Sequence, residues 1–149
     1  MLQINRQTDY AVRVVLALAK RPEGTRLASS EIRTEMLIPK AFMARIVAKL
    51  AAHSLVVTFA GRDGGLQLPC PASELTLKDV VEAFEGPILL SECMHAKGSE
   101  EDCPFRVNCP VRSKWGRAQA AMLHELASIT FEDLAKEALG ITALMPSMV

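Results

Sequence analysis

Apolar positions recur at helical spacing along most of the chain and at strand spacing over one short stretch. Tyr10, Val14, Val15, Leu18 and Ala19 share a face of a helix expected from about Asp9 to Lys20, with Thr8 as its cap and Arg21-Pro22-Glu23-Gly24 as its stop. Ser29 is a second cap, opening a short helix that turns Ile32 and Met36 inward before Ile38-Pro39 breaks it. A third helix is expected from Lys40 to about His53. In it Met43, Ile46, Val47 and Leu50 fall on the inner face, and Lys40, Ala41, Ala44, Arg45, Ala48 and Lys49 point mostly outward. Next, Leu55-Val56-Val57-Thr58-Phe59 and Leu66-Gln67-Leu68 flank Gly61-Arg62-Asp63-Gly64-Gly65, the pattern of two strands around a glycine-rich turn. Helix, short helix, helix, hairpin is the order of a winged helix-turn-helix.

Beyond Pro69-Cys70-Pro71 the pattern predicts a short linker helix from Thr76 to about Phe84, ended by Gly86-Pro87. After an irregular stretch, Pro110 starts a longer helix, to about residue 127, in which Val111, Trp115, Ala118, Met122 and Leu126 recur at spacings of three and four. A lone amphipathic helix of that length needs a surface to cover it, and the same helix in a second copy supplies one, so a two-fold homodimer is expected. A last turn or two, Phe131 to Leu139, precedes a loose end at Pro146-Ser147-Met148-Val149. The expected fold is therefore mainly α with a small β-hairpin. Residues 1–71 form a winged helix-turn-helix domain, and residues 72–149 hold the linker helix, a loop at about 87–109 and the dimerisation helix.

Charge changes the picture more than composition does. The net charge is zero, yet residues 1–62 carry ten Lys and Arg against four Asp and Glu, and residues 63–149 carry seven against thirteen. A basic first half points to phosphate backbones. On that reading Lys40, Arg45 and Lys49 contact phosphates or bases, Ala41 and Ala44 permit close approach, and Arg62 is the cation at the wing tip. Ser29, at the head of the short helix, and Pro39 and Phe42, at the entry of the third, complete the expected DNA face. The first residues hold no apolar signal core and no apolar run reaches membrane-spanning length, so a cytoplasmic, reducing location is expected.

The acidic half carries the other chemistry. Cys93, Cys103 and Cys109 are spaced Cys-x9-Cys-x5-Cys, an odd number that cannot pair off as disulfides, and soft thiolates suit a thiophilic metal or an iron–sulfur cluster. Cys109-Pro110 places one thiolate at the start of the long helix, where free backbone N–H groups favour an anionic group. Glu100, Glu101 and Asp102 add negative charge that makes accepting an electron less favourable. Zinc held by the cysteines and His95 is the rival, although His95 stands only two residues from Cys93. An electron carrier that docks through the basic face is another. Cys70 reads as a small apolar residue, and Asp9 as a carboxylate favoured by the first turn of a helix. No nucleophile triad, phosphate loop or carboxylate pair stands out, so no enzyme is expected.

Several stretches together resemble the Rrf2 family of winged-helix regulators: Gln7-Thr8-Asp9-Tyr10-Ala11-Val12-Arg13, Ile38-Pro39-Lys40-Ala41-Phe42, Gly61-Arg62-Asp63-Gly64-Gly65, Leu75-Thr76-Leu77-Lys78-Asp79-Val80-Val81, and Cys103-Pro104 through Cys109. The resemblance implies a homodimer with crossing long helices and a cluster in each loop near the DNA-binding domain of the other subunit. Cys93, Cys103 and Cys109 fall at the family's three ligand positions. In IscR-like members a histidine soon after the third cysteine completes a two-iron cluster, but here Arg112 stands at that position. In NsrR-like members an aspartate from helix one of the other subunit completes a four-iron cluster, and Asp9 matches it. The resemblance thus implies an iron–sulfur cofactor, 4Fe–4S in preference to 2Fe–2S. It further implies a repressor that senses nitric oxide, iron or redox state. The nine-residue first gap is nearer to RirA-like loops, and Ala44 replaces the family's base-discriminating glutamate, so the operator preference does not carry over.

Overall fold

The computed structural model describes residues 3–94 and 103–144. Helix α1 (Arg6–Ala19) starts earlier than expected, because Asn5 and not Thr8 is its cap: the Asn5 side chain accepts from the Thr8 backbone N–H at 3.0 Å. Asn5 is extended and places its carboxamide over the first turn. Thr8 is instead fully buried, its hydroxyl donating to the Glu85 carboxylate. Helix α2 (Ser29–Glu35) likewise begins one residue before the reading from Ser29 as cap. Ala28 holds the cap position, and the Glu31 carboxylate accepts from its N–H at 2.9 Å. Leu37, with φ of 53°, turns the chain into α3 (Lys40–Ala52).

Strands β1 (Val57–Phe59) and β2 (Gly65–Gln67) pair antiparallel, Val57 with Gln67 and Phe59 with Gly65. They are shorter than expected because Leu55 and Val56 leave the strand to bury beneath the end of α3. The hairpin gains a further backbone partner in Leu27, which exchanges hydrogen bonds with Leu66 at 2.9 and 2.7 Å. That approach requires glycine at position 65. Its φ is 145°, and a Cβ there would lie 2.6 Å from the Leu27 carbonyl oxygen.

A 3-10 turn (Ala72–Glu74) leads to α4 (Leu77–Glu85), capped by Thr76, whose N–H donates to Asp79 at 2.8 Å while its Oγ1 accepts from the Asp79 N–H at 3.3 Å. Helix α5 (Pro110–Ser128) follows the loop, and α6 (Phe131–Leu144) runs five residues past the expected Leu139. Its start is anchored by Phe131 and Ala135, which are buried, by contacts with α1, and by Thr130 and Asp133, which close its first turn. The expected loose end, 146–149, lies outside the described residues. One core joins Val14, Val15, Ile32, Ile46 and Leu50 of α1–α3 to Leu75, Val80, Phe84 and Phe131, so it runs across residue 71 without a break. Among the described residues no helix is long and apolar enough to cross a membrane.

Candidate nucleic-acid interface and cysteine loop

Helix α3 buries Met43, Ile46 and Leu50 and exposes Lys40, Ala41, Ala44 and Arg45, so the apolar stripe fixes which face the cations occupy. Against that face lies an open groove between α2 and α3, lined by Ser29, Ser30, Arg33, Lys40, Met43, Ala44 and Val47. Pro39 is exposed at the head of α3, and Arg62 is exposed in the wing turn. The sequence expectation singled out neither Ser30 nor Arg33. The available signal was their spacing: Arg33 is one helical turn beyond Ser29 and Ser30.

Two expected DNA-face residues are engaged elsewhere. Phe42 is half-buried with its ring edge-on to Tyr10 of α1, centroids 5.3 Å apart. Lys49 donates its ammonium to the Phe84 carbonyl at 3.1 Å and lies over the Phe84 ring at 4.9 Å, which staples α3 to α4. Both follow from position: at the back of α3, Phe42 meets α1 and the long Lys49 side chain meets α4 before either meets solvent.

Around α1 the charges form a chain. Asp9 is exposed and pairs with Arg13 at 2.7 Å, and the same guanidinium donates to the Met36 carbonyl at 3.3 Å. Met36 closes α2, so Asp9 is two polar contacts from the turn that aims α3. On the other side of the α1 head, Glu85 at the end of α4 accepts from the Asn5 N–H at 2.9 Å and from Thr8. Burial pushes the Glu85 carboxyl up, but the hydrogen bonds from Thr8 and Asn5, helped by the Lys49 charge, outweigh it and leave the group below the usual carboxylate range. The segment leading to the cysteine loop thus hangs from a carboxylate fixed to the α1 cap.

Cys93 lies in a 3-10 turn (Glu92–Met94) with Sγ 3.2 Å from Ser91 Oγ. Cys103 opens the turn that leads into α5, where its carbonyl accepts from the Arg106 N–H at 3.1 Å. Cys109 is the cap residue of α5, with Pro110 as the first helical residue. All three thiols are free and half-buried. Among the described residues no three metal-ligating side chains are gathered within reach of one ion. His95, Glu100, Glu101 and Asp102 lie outside the described residues. The donor set still suits a soft metal group, since thiolates at half-buried positions and at a helix start are the sites where such groups are held. Cys70 packs against the core, and burial, then Glu74, Asp79 and Glu23, push its thiol up, as befits a small apolar residue.

Comparison with known proteins agrees with this architecture. The family model described as "Rrf2: Iron-dependent Transcriptional regulator" matches residues 4–137. Protein aau3 of Rhizobium meliloti (strain 1021) is 35% identical over 136 residues, spanning 91% of this chain and 86% of that protein. Among solved structures, CymR, the global cysteine regulator of B. subtilis, superposes with a TM-score of 0.73 at 25% identity, over 92% of this chain and 98% of its own. T. potens IscR superposes with a TM-score of 0.70 at 20% identity, over 99% and 95%, a likeness of fold. Sequence, hairpin, helix order and family model converge: the chain belongs to the Rrf2 family of transcriptional regulators, DNA-binding winged-helix proteins and not enzymes.

Proposed function

We propose that this chain is a dimeric cytoplasmic repressor that reads nitric oxide, iron or redox state through an iron–sulfur cluster, 4Fe–4S in preference to 2Fe–2S. Cys93, Cys103 and Cys109 of one subunit would hold it, with Asp9 of the other. The observation that carries this reading is the set of three free, half-buried thiols, one of them capping α5. When bound, the cluster would supply a group that changes on meeting the signal. The rest is done by the chain's own residues. Asp9 cannot serve a ligand position and hold Arg13 to the same degree. A weakened Asp9–Arg13 pair leaves that guanidinium to the Met36 carbonyl, altering the turn between α2 and α3. Ser29, Pro39, Lys40, Ala41, Ala44, Arg45 and Arg62 form the DNA face, with Ser30 and Arg33 added to it. The unpartnered face of α5 meets its counterpart in the second copy.

A second reading keeps the DNA binding and the dimer but gives the thiols a structural zinc in place of the cluster, since the same soft donors suit either. Metal and sulfide analysis with an absorption spectrum on anaerobically purified protein separates the two. Iron, acid-labile sulfide and a broad visible band are expected. Colourless protein containing zinc or no metal would overturn the cluster assignment and leave the DNA-binding assignment in place.

A further inference from the structure

Arg26 belongs to neither site described above. It lies exposed in the extended segment before α2, with its guanidinium carbon 3.5 Å from the centroid of the Phe59 ring. The next residue, Leu27, is bonded in both directions to Leu66 of β2, so the backbone beside Arg26 is fixed to the wing as a third strand would be. Neighbouring cations are spent within the fold: Lys20 and Arg21 pair with Glu35, and Arg13 with Asp9. Among the described residues Arg26 has no carboxylate partner.

An arginine stacked on an aromatic ring gives up one face of its guanidinium and keeps its N–H donors, which lie in the plane, free at the edge. Such a fork is ordered before a ligand arrives and matches the paired oxygens of a phosphate. Its place in the fold supplies the ligand. Three and four residues downstream, Ser29 and Ser30 line the groove with Lys40 and Ala44, while Phe59 is the last residue of β1 before the turn that carries Arg62. Arg26 therefore stands between the recognition groove and the wing turn. We infer that Arg26 is a phosphate contact of the wing, braced by Phe59, which grips the DNA backbone beside the groove that α3 reads. The inference rests on the DNA-binding reading of α3 and the wing.

The test is titration of the full chain against a duplex that the wild-type chain selects from a randomised library, over a range of salt, and against an unrelated duplex. Arg26→Ala is expected to weaken binding about tenfold at fixed salt, as for loss of one charge-assisted hydrogen-bonded pair. It should also flatten the slope of log affinity against log salt by about one, and do both on either duplex. Phe59→Leu keeps the charge and should lose less affinity, with the slope retained. If Arg26→Ala melts early, Arg26→Gln replaces it, since the amide still lies flat on the ring. Wild-type affinity and slope in a variant that melts like wild type would overturn the assignment. So would a loss confined to the selected duplex, which would mark a base contact. A wild-type chain that selects no duplex would instead remove the DNA reading beneath it.

Discussion

Arg13 is the residue on which the two halves of the account meet, because one guanidinium holds both Asp9 and the end of α2. The sequence placed Asp9 in the first turn of α1 but gave no hint of Arg13's second partner, since Met36 contributes a backbone carbonyl that no side-chain pattern encodes. Asp9→Ala is expected to weaken or abolish the visible iron–sulfur band of anaerobically purified protein while the dimer persists in light scattering. An unchanged band of unchanged lifetime would return Asp9 to the role of a helix-start carboxylate. A second residue-scale prediction concerns Glu35, whose carboxyl is lowered to about 2, chiefly by its hydrogen bond to Arg21, with Lys20 adding to it. A carboxyl depressed when folded stabilises the fold above its unfolded value near 4.5, and that stability is lost as pH falls toward 2. Because these side chains are about a quarter to a third exposed, solvent screening keeps the effect near ~1 kcal/mol. Urea melts of Glu35→Gln should therefore lie below wild type by that amount at pH 7, with the gap closing between pH 4.5 and 2. A gap independent of pH would show that packing, not charge, is responsible.

At the scale of elements, periodicity was a good guide wherever one face of a helix meets the core. Met43, Ile46 and Leu50 of α3 and Val80, Val81 and Phe84 of α4 are buried as their spacing requires. It was a poorer guide at helix ends and at outward-looking positions. Thr8 looks like a cap and is a buried donor to Glu85, a partner 77 residues away that local pattern cannot supply. The end of α6 is not legible because no glycine–proline stop follows Leu139 in the way Gly86-Pro87 follows α4. Lys49 shows the same limit for function: on a helical wheel it joins the basic face, yet the Phe84 carbonyl and ring hold it. Lys49→Ala is accordingly expected to lower stability by about 1 kcal/mol through lost hydrogen bonding and cation–π contact, with the salt slope of DNA binding unchanged. A flatter slope at wild-type stability would restore Lys49 to the DNA face. The cysteine spacing shows three soft donors, but their placement on a 3-10 turn, a turn and a helix cap is not legible, because the segments between them lack periodicity.

At the scale of the molecule, the described residues share a single core with one helix left outside it. Helices α4 and α6 are built into the winged-helix core, whereas α5, 19 residues long, has no buried residue and leaves Val111 and Trp115 about half exposed. Cys109 is the cap of the same helix, so the face proposed to pair two copies lies on the element that one of the three thiols opens. Trp115→Glu is expected to shift the chain from dimer to monomer in light scattering and to weaken DNA binding, since two half-sites are then no longer held together. An unchanged dimer mass would take this face of α5 out of the interface. Coupling between the cysteine loop and the DNA face would appear as a change in DNA affinity at fixed salt. The anaerobically purified chain is titrated against its selected duplex before and after the iron is removed by chelation. A change in affinity of about tenfold or more is expected, within the usual range of coupling between sites. Equal affinities in the two states, with the iron shown to have been present and then lost, would contradict it.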